Sequence, residues 1–155
     1  MREVAIGKAA AFPDPGRQIV ELDGAEIGVF CVNGRFTAFE NVCPHMGGPV
    51  CQGMVNPRVM ERFAPDKTSL GLAFSADQTN IACPWHGYEF DIQTGRHQGN
   101  PHLRLRPVKI EIVDGDLVVT VPERQRERIT RARAPRADQA YAPRPLDEPP
   151  PRRVL

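Results

Sequence analysis

The chain has 155 residues, 41% hydrophobic and 25% charged, a composition that fits one globular domain with a real core and excludes a wholly disordered chain. Charge is uneven: 11 Lys+Arg face 14 Asp+Glu up to Pro122, then 9 Arg face 5 acids, so a mildly acidic body precedes a basic tail. No run of about twenty apolar residues exists and Lys8 breaks the apolar N-terminal stretch, so neither a membrane span nor a signal peptide is expected; the expected location is cytoplasmic, where cysteines are usually reduced, metal-bound or catalytic.

Sixteen prolines and thirteen glycines favour short strands over long helices. Strands are predicted near Gln18–Leu22, Glu26–Val32 and Phe36–Glu40, joined at Asp23-Gly24 and Asn33-Gly34. Both dipeptides suit a type I′ turn, whose two central residues need positive φ. Further along, Pro57 and the four-residue spacing of Val59 and Phe63 predict one amphipathic helical turn over Arg58–Ala64. "SLGLAFS" then alternates like a half-buried strand, and Asn80–Ala82 predicts another strand. A last hairpin is predicted over Val108–Val121 about Asp114-Gly115. These elements predict an all-β body, a sandwich or small barrel. The Arg/Pro-rich tail, 123–155, lacks apolar periodicity and is expected to be extended or disordered, apart from a solvated helix over Glu123–Arg133.

Two short stretches carry chemistry: "VCPHMGG" at 42–48 and "ACPWHGYEFD" at 82–91. Together they supply Cys43, His45, Cys83 and His86, a complete ligand set of two thiolates and two imidazoles. A structural zinc site is one candidate, although zinc usually pairs Cys with Cys and His with His in its knuckles. A binuclear iron–sulfur cluster, with two Cys on one iron and two His on the other, suits the mixed spacing better. Tight Cys-Pro loops with glycines nearby can also aim backbone amides at a buried anion such as sulfide.

The remaining residues have plainer readings. Cys31 lies in an apolar strand and is expected in the core, and Cys51 is expected to be a partly buried structural thiol. Trp85 is expected to cover the site against water, and His97 and His102 to be solvated loop histidines. The tail has one aromatic, Tyr141, and prolines that break any basic helix, so nucleic-acid binding is not expected.

"CPHMGGPVCQG" and "CPWHGYEFDIQTG" resemble the two cluster loops of the Rieske [2Fe–2S] family, and the likeness extends over Glu3–Val121. The resemblance implies stacked antiparallel sheets with a small cluster-binding subdomain, within a Rieske domain of residues 1–122. The implied cluster loops are 42–53 and 82–95, with an insertion at about 54–80. It assigns Cys43 and Cys83 to the inner iron, and His45 and His86 to the outer iron near the surface. It implies no bond-making catalysis, because both irons are fully ligated. The second domain of a Rieske oxygenase's catalytic subunit does not fit this length.

Respiratory Rieske proteins differ from this chain by a loop-bridging disulfide at the positions of Gly48 and Trp85. They also place hydroxyls at Tyr88 and Phe90, where the second has none here. A reduction potential at the low end of the Rieske range, on the order of −150 mV, is therefore expected. The implied function is a soluble ferredoxin, a dioxygenase component that carries single electrons from a reductase to an oxygenase or related oxidoreductase. The alternative is a Rieske small subunit with a mainly docking role. The long insertion, expected beside the cluster tip, and the tail suggest a dedicated protein partner in a stable hetero-complex.

Overall fold

The computed structural model describes residues 1–121, so the expectations for the tail fall outside the described residues. Nine strands follow one another: β1 (Arg2–Lys8), β2 (Gly16–Leu22), β3 (Ala25–Val32), β4 (Arg35–Glu40), β5 (Met54–Phe63), β6 (Ser69–Ala82), β7 (Glu89–Asp91), β8 (Lys109–Val113) and β9 (Asp116–Val121). They form three antiparallel sheets of three strands, ordered β1-β9-β8, β2-β3-β4 and β5-β6-β7. Among the described residues the only helical pieces are single 3-10 turns at Ala9–Ala11 and Val50–Gln52.

The three predicted Gly turns form as expected. Asp23, Asn33 and Asp114 each take φ 52°, and the glycine after each is also positive, which matches strand twist in a tight hairpin. The predicted helical turn over Arg58–Ala64 does not form; those residues lie in β5 apart from Ala64. A spacing of four serves both periods, since Val59 and Phe63 also share one face of a strand. Pro57 is tolerated because β5 is an edge strand that need not donate there. β1 lies outside the predicted strands, because "REVAIGK" offers only Val4 and Ile6 as alternating apolar residues before Lys8; register shifts between Ala5 and Gly7 where it pairs with β9.

The sheet β2-β3-β4 is the middle layer, and β3 is buried on both faces. Ile27 and Val29 point into a core shared with Val108, Val119 and Val121 from the terminal sheet. Phe30 and Val32 point the other way, into a core with Phe39, Ile81, Phe90, Ile92 and Leu105. That second core also contains Cys43, Cys51 and Cys83, so the candidate ligands rest on packed hydrophobic residues. Burying each of its phenylalanines is worth about 1.5–3 kcal/mol.

The insertion forms a long hairpin, β5 with β6, rooted where Met54 pairs with Ala82. Its base therefore lies beside the second Cys-Pro loop. Its turn, residues 64–68, lies at the opposite end of β6 from Cys83, about 40 Å along the strand at ~3.3 Å per residue. The distal half thus leads away from the cluster loops, and "SLGLAFS" is a strand but mostly exposed rather than half-buried.

Candidate iron–sulfur site

Each Cys-Pro loop closes with the same backbone pattern. Gly47 N–H donates to the Cys43 carbonyl (2.8 Å) and Cys43 N–H to the Gly48 carbonyl (2.8 Å). In the second loop Gly87 N–H donates to the Cys83 carbonyl (2.9 Å) and Cys83 N–H to the Tyr88 carbonyl (2.9 Å). Gly47 and Gly87 sit at φ 80° and 70°, a conformation that favours glycine and explains its recurrence four residues after each Cys.

The loops meet face to face. The Cys43 and Cys83 thiols are buried and close enough to interact. Burial, ahead of the neighbouring Cys83 thiol, pushes the Cys43 thiol up, while the backbone N–H groups of His45 and Met46 pull it down. Such thiols become thiolate ligands when a cation offsets their charge. The imidazoles of His45 and His86 meet edge to face with centroids 4.8 Å apart. Nδ1 of His45 is buried and has no hydrogen-bond partner. A buried imidazole nitrogen without a partner is costly, and coordination to a metal would satisfy it.

Thiols are beside thiols and imidazoles beside imidazoles. Among the described residues, no three His, Cys, Asp or Glu side chains are placed to hold a single metal ion. This donor set fits a group with one thiolate end and one imidazole end, the chemistry of a mixed-ligand binuclear cluster, better than a zinc tetrahedron.

Supporting residues outside the ligand set fix the loops. Asn41, buried at the end of β4, accepts from Cys51 N–H (2.7 Å) and donates to Glu26 (2.9 Å). The Arg17 guanidinium on β2 donates to the Cys51 and Gly53 carbonyls, holding the exit of the first loop. Tyr88 stacks on His45 with centroids 4.1 Å apart and 12° between planes. His97 packs on Tyr88 at 5.0 Å and Phe90 at 5.4 Å, and its Nδ1 accepts from Gly99 and Asn100 N–H. His97 is thus a packed loop anchor rather than a solvated histidine; His102 is exposed as expected.

Cys31 is buried as expected, and Cys51 is buried fully rather than partly. Sequence reasoning missed Arg17 and Asn41 because ordinary polar residues in strands carry no local sign of such contacts. Trp85 covers the site only in part: 57% of it is exposed, and the ring lies against Gly48. A methyl on Gly48 would stand 2.8 Å from that ring and 3.1 Å from Cys83 Sγ.

An all-β body that closes two Cys-Pro loops over paired thiols and paired imidazoles defines an iron–sulfur redox domain. Comparison with known proteins agrees: the Rieske [2Fe-2S] domain family matches residues 2–110. The chain belongs to this family, and its cofactor is a Rieske-type [2Fe–2S] cluster. It is 30% identical over 91 residues to the ferredoxin component of the p-cumate 2,3-dioxygenase system of Pseudomonas putida, covering 57% of this chain and 60% of that one. It is 29% identical over 84 residues to apoptosis-inducing factor 3 of Mus musculus, covering 54% of this chain and 10% of that protein. The match thus spans under two thirds of either relative.

Among solved structures, the ferredoxin of carbazole 1,9a-dioxygenase from Nocardioides aromaticivorans IC177 superposes with TM-score 0.55 at 19% identity, over 79% of this chain and 100% of that chain. A putative NADH-dependent nitrite reductase small subunit from Mycobacterium tuberculosis does so with TM-score 0.57 at 17% identity, over 78% and 96%. At these identities the likeness establishes the shared fold. Among the described residues no helix is long and apolar enough to cross a membrane.

Proposed function

We propose that the protein is a ferredoxin that passes single electrons from a reductase to an oxygenase or related oxidoreductase. Cys43 and Cys83 hold the inner iron, and His45 and His86 the outer iron. The observation that carries this reading is the buried, unpartnered Nδ1 of His45 beside the His86 ring. When bound, the cluster supplies reversible one-electron chemistry.

The chain's own residues divide the remaining work. The core of Phe30, Phe39 and Phe90 beneath the thiols keeps water from the inner side. Tyr88 orients His45 by stacking, and Trp85 lies over Gly48 beside Cys83. On the outer side His86 is exposed with Trp85 beside it, and Val42 and Met46 of the first loop are exposed as well. An exposed imidazole with exposed apolar side chains on the same two loops suits brief docking of a redox partner, whose contacts are typically small and quickly released. A complex of oxygenase and ferredoxin is known for carbazole 1,9a-dioxygenase, which supports the same type of partner here.

The test is spectroscopy of the purified protein. A brown protein whose dithionite-reduced form gives a mixed-ligand [2Fe–2S] EPR signal is expected, with a potential of roughly −150 mV by voltammetry. A colourless, EPR-silent, zinc-containing protein would sink the reading. Cys43→Ser and Cys83→Ser are expected to lose the cluster, and His86→Cys to slow electron transfer to the acceptor enzyme in stopped-flow mixing. Unchanged turnover with His86→Cys would argue against electron carriage.

A further inference from the structure

As the proposed outer-iron ligand, His45 lacks one usual support. A metal-bound imidazole is generally oriented by a hydrogen bond at its second ring nitrogen. Among the described residues no such bond reaches the His45 ring, which is held by ring contacts instead. Tyr88 lies flat on it, with centroids 4.1 Å apart and 12° between planes. Tyr88 is only half-buried where it rests on the core beneath the thiols, so what packs on its ring bears directly on His45.

The ring that packs on Tyr88 is His97, at 5.0 Å. Its backbone bridges Phe90 in β7, and its N–H donates to the Leu103 carbonyl (3.0 Å). Nδ1 accepts from Gly99 N–H (3.1 Å) and Asn100 N–H (2.9 Å), so the ring proton sits on Nε2 and the ring cannot swing freely. Closing that turn needs only an acceptor, and an Asn side chain accepts from the same N–H groups two and three residues on. The imidazole does more, because it also meets Tyr88 and the Phe90 ring, 5.4 Å away at 71°. A ring held by its backbone, by two hydrogen bonds and by Phe90 is a firm stop for Tyr88.

We propose that His97 is a positioning residue for the outer iron: through Tyr88 it sets the tilt of the His45 imidazole. This role rests on His45 being an outer-iron ligand. Among the described residues His97 makes no ring contact with His45 or His86, so its effect passes through Tyr88. The tilt of a ligand ring governs how its nitrogen meets the metal, and hence the electronic structure and lifetime of the bound cluster.

Two substitutions in the full-length, cluster-loaded protein separate the turn from the ring. His97→Asn keeps an acceptor in the place of Nδ1 and removes the ring, whereas His97→Phe keeps a ring and removes the acceptor. Hydrogen exchange at Gly99 and Asn100 is expected to stay unchanged in His97→Asn and to quicken in His97→Phe. The imidazole-nitrogen hyperfine couplings of the reduced cluster, read by pulsed EPR, should follow the ring instead. They are expected to shift in His97→Asn and to be largely restored in His97→Phe, whose backbone the bridge to Phe90 still holds. Cluster loss under mild chelation should quicken several-fold in His97→Asn, and adding that change to Tyr88→Ala should add nothing further. Unchanged couplings in His97→Asn, cluster effects larger in His97→Phe than in His97→Asn, or an added loss beyond Tyr88→Ala would overturn the proposal and leave the cluster assignment standing. An unmodified protein without imidazole-nitrogen couplings would overturn His45 as a ligand and the proposal with it.

Discussion

At the scale of single residues, the contact between Gly28 and Cys51 shows how little room the cluster's foundation has. A methyl on Gly28 would stand 2.6 Å from Cys51 Sγ, so Gly28→Ala is expected to cost about 1–3 kcal/mol in denaturant unfolding. Cys51→Ala in the same chain should restore only part of the loss, because the Cys51 Cβ, which lies closer still to that methyl, remains. Burial also pushes the Cys51 thiol up from 9.0 to about 12. The unfolded chain releases this proton near pH 9 and the folded chain near 12, so above pH 9 the unfolded state binds fewer protons. The stabilisation is complete below pH 9 and falls by about 1.4 kcal/mol per pH unit between 9 and 12. Unfolding at pH 8 and pH 10 should show this slope, and Cys51→Ala should flatten it by that amount.

Tyr88 offers a second test at this scale. Tyr88→Phe keeps the stack on His45 and should leave the potential and cluster lifetime nearly unchanged. Tyr88→Ala removes the stack, and cluster loss under mild chelation is expected to quicken several-fold. Equal behaviour of the two variants would mean that the stacking does not position the imidazole.

At the scale of elements, Asn80 ties the hairpin root to β7 and to the loop beyond it. It is fully buried on β6, donates to Glu89 on β7 (2.8 Å) and accepts from Gln98 (2.6 Å). Asn80→Ala would strand those partners, and a cost of about 1–3 kcal/mol in thermal or denaturant unfolding is expected. Elements were legible where local chemistry dictates them, as with the Asp-Gly and Asn-Gly turns and the alternation over Val108–Val121. They were misread where two periods coincide: Val59 and Phe63 read as a helical pair but are neighbours on one strand face. The four candidate ligands were legible because Cys and His beside Pro and Gly are chemically conspicuous. Asn41, Arg17 and the packed His97 were not, since their partners lie on other strands and only the fold brings them together.

At the scale of the whole molecule, two cores share the strand β3, which couples the cluster subdomain to the terminal sheet. Ending the chain at Val121, the last residue of β9, is expected to leave the visible spectrum of the cluster intact. Loss of the spectrum on that truncation would mean that residues 122–155 complete the fold.

The pairing of β1 with β9 brings Arg2 against Val121, nearly the full length of the described chain apart. On a ribosome, therefore, Cys43 and Cys83 emerge while the sheet that will seat the domain is still missing its central strand. Pairings this distant in sequence close late and slowly. The sheet β1-β9-β8 can therefore close only after both cluster loops have been made, when Val121 becomes available to pair with Arg2.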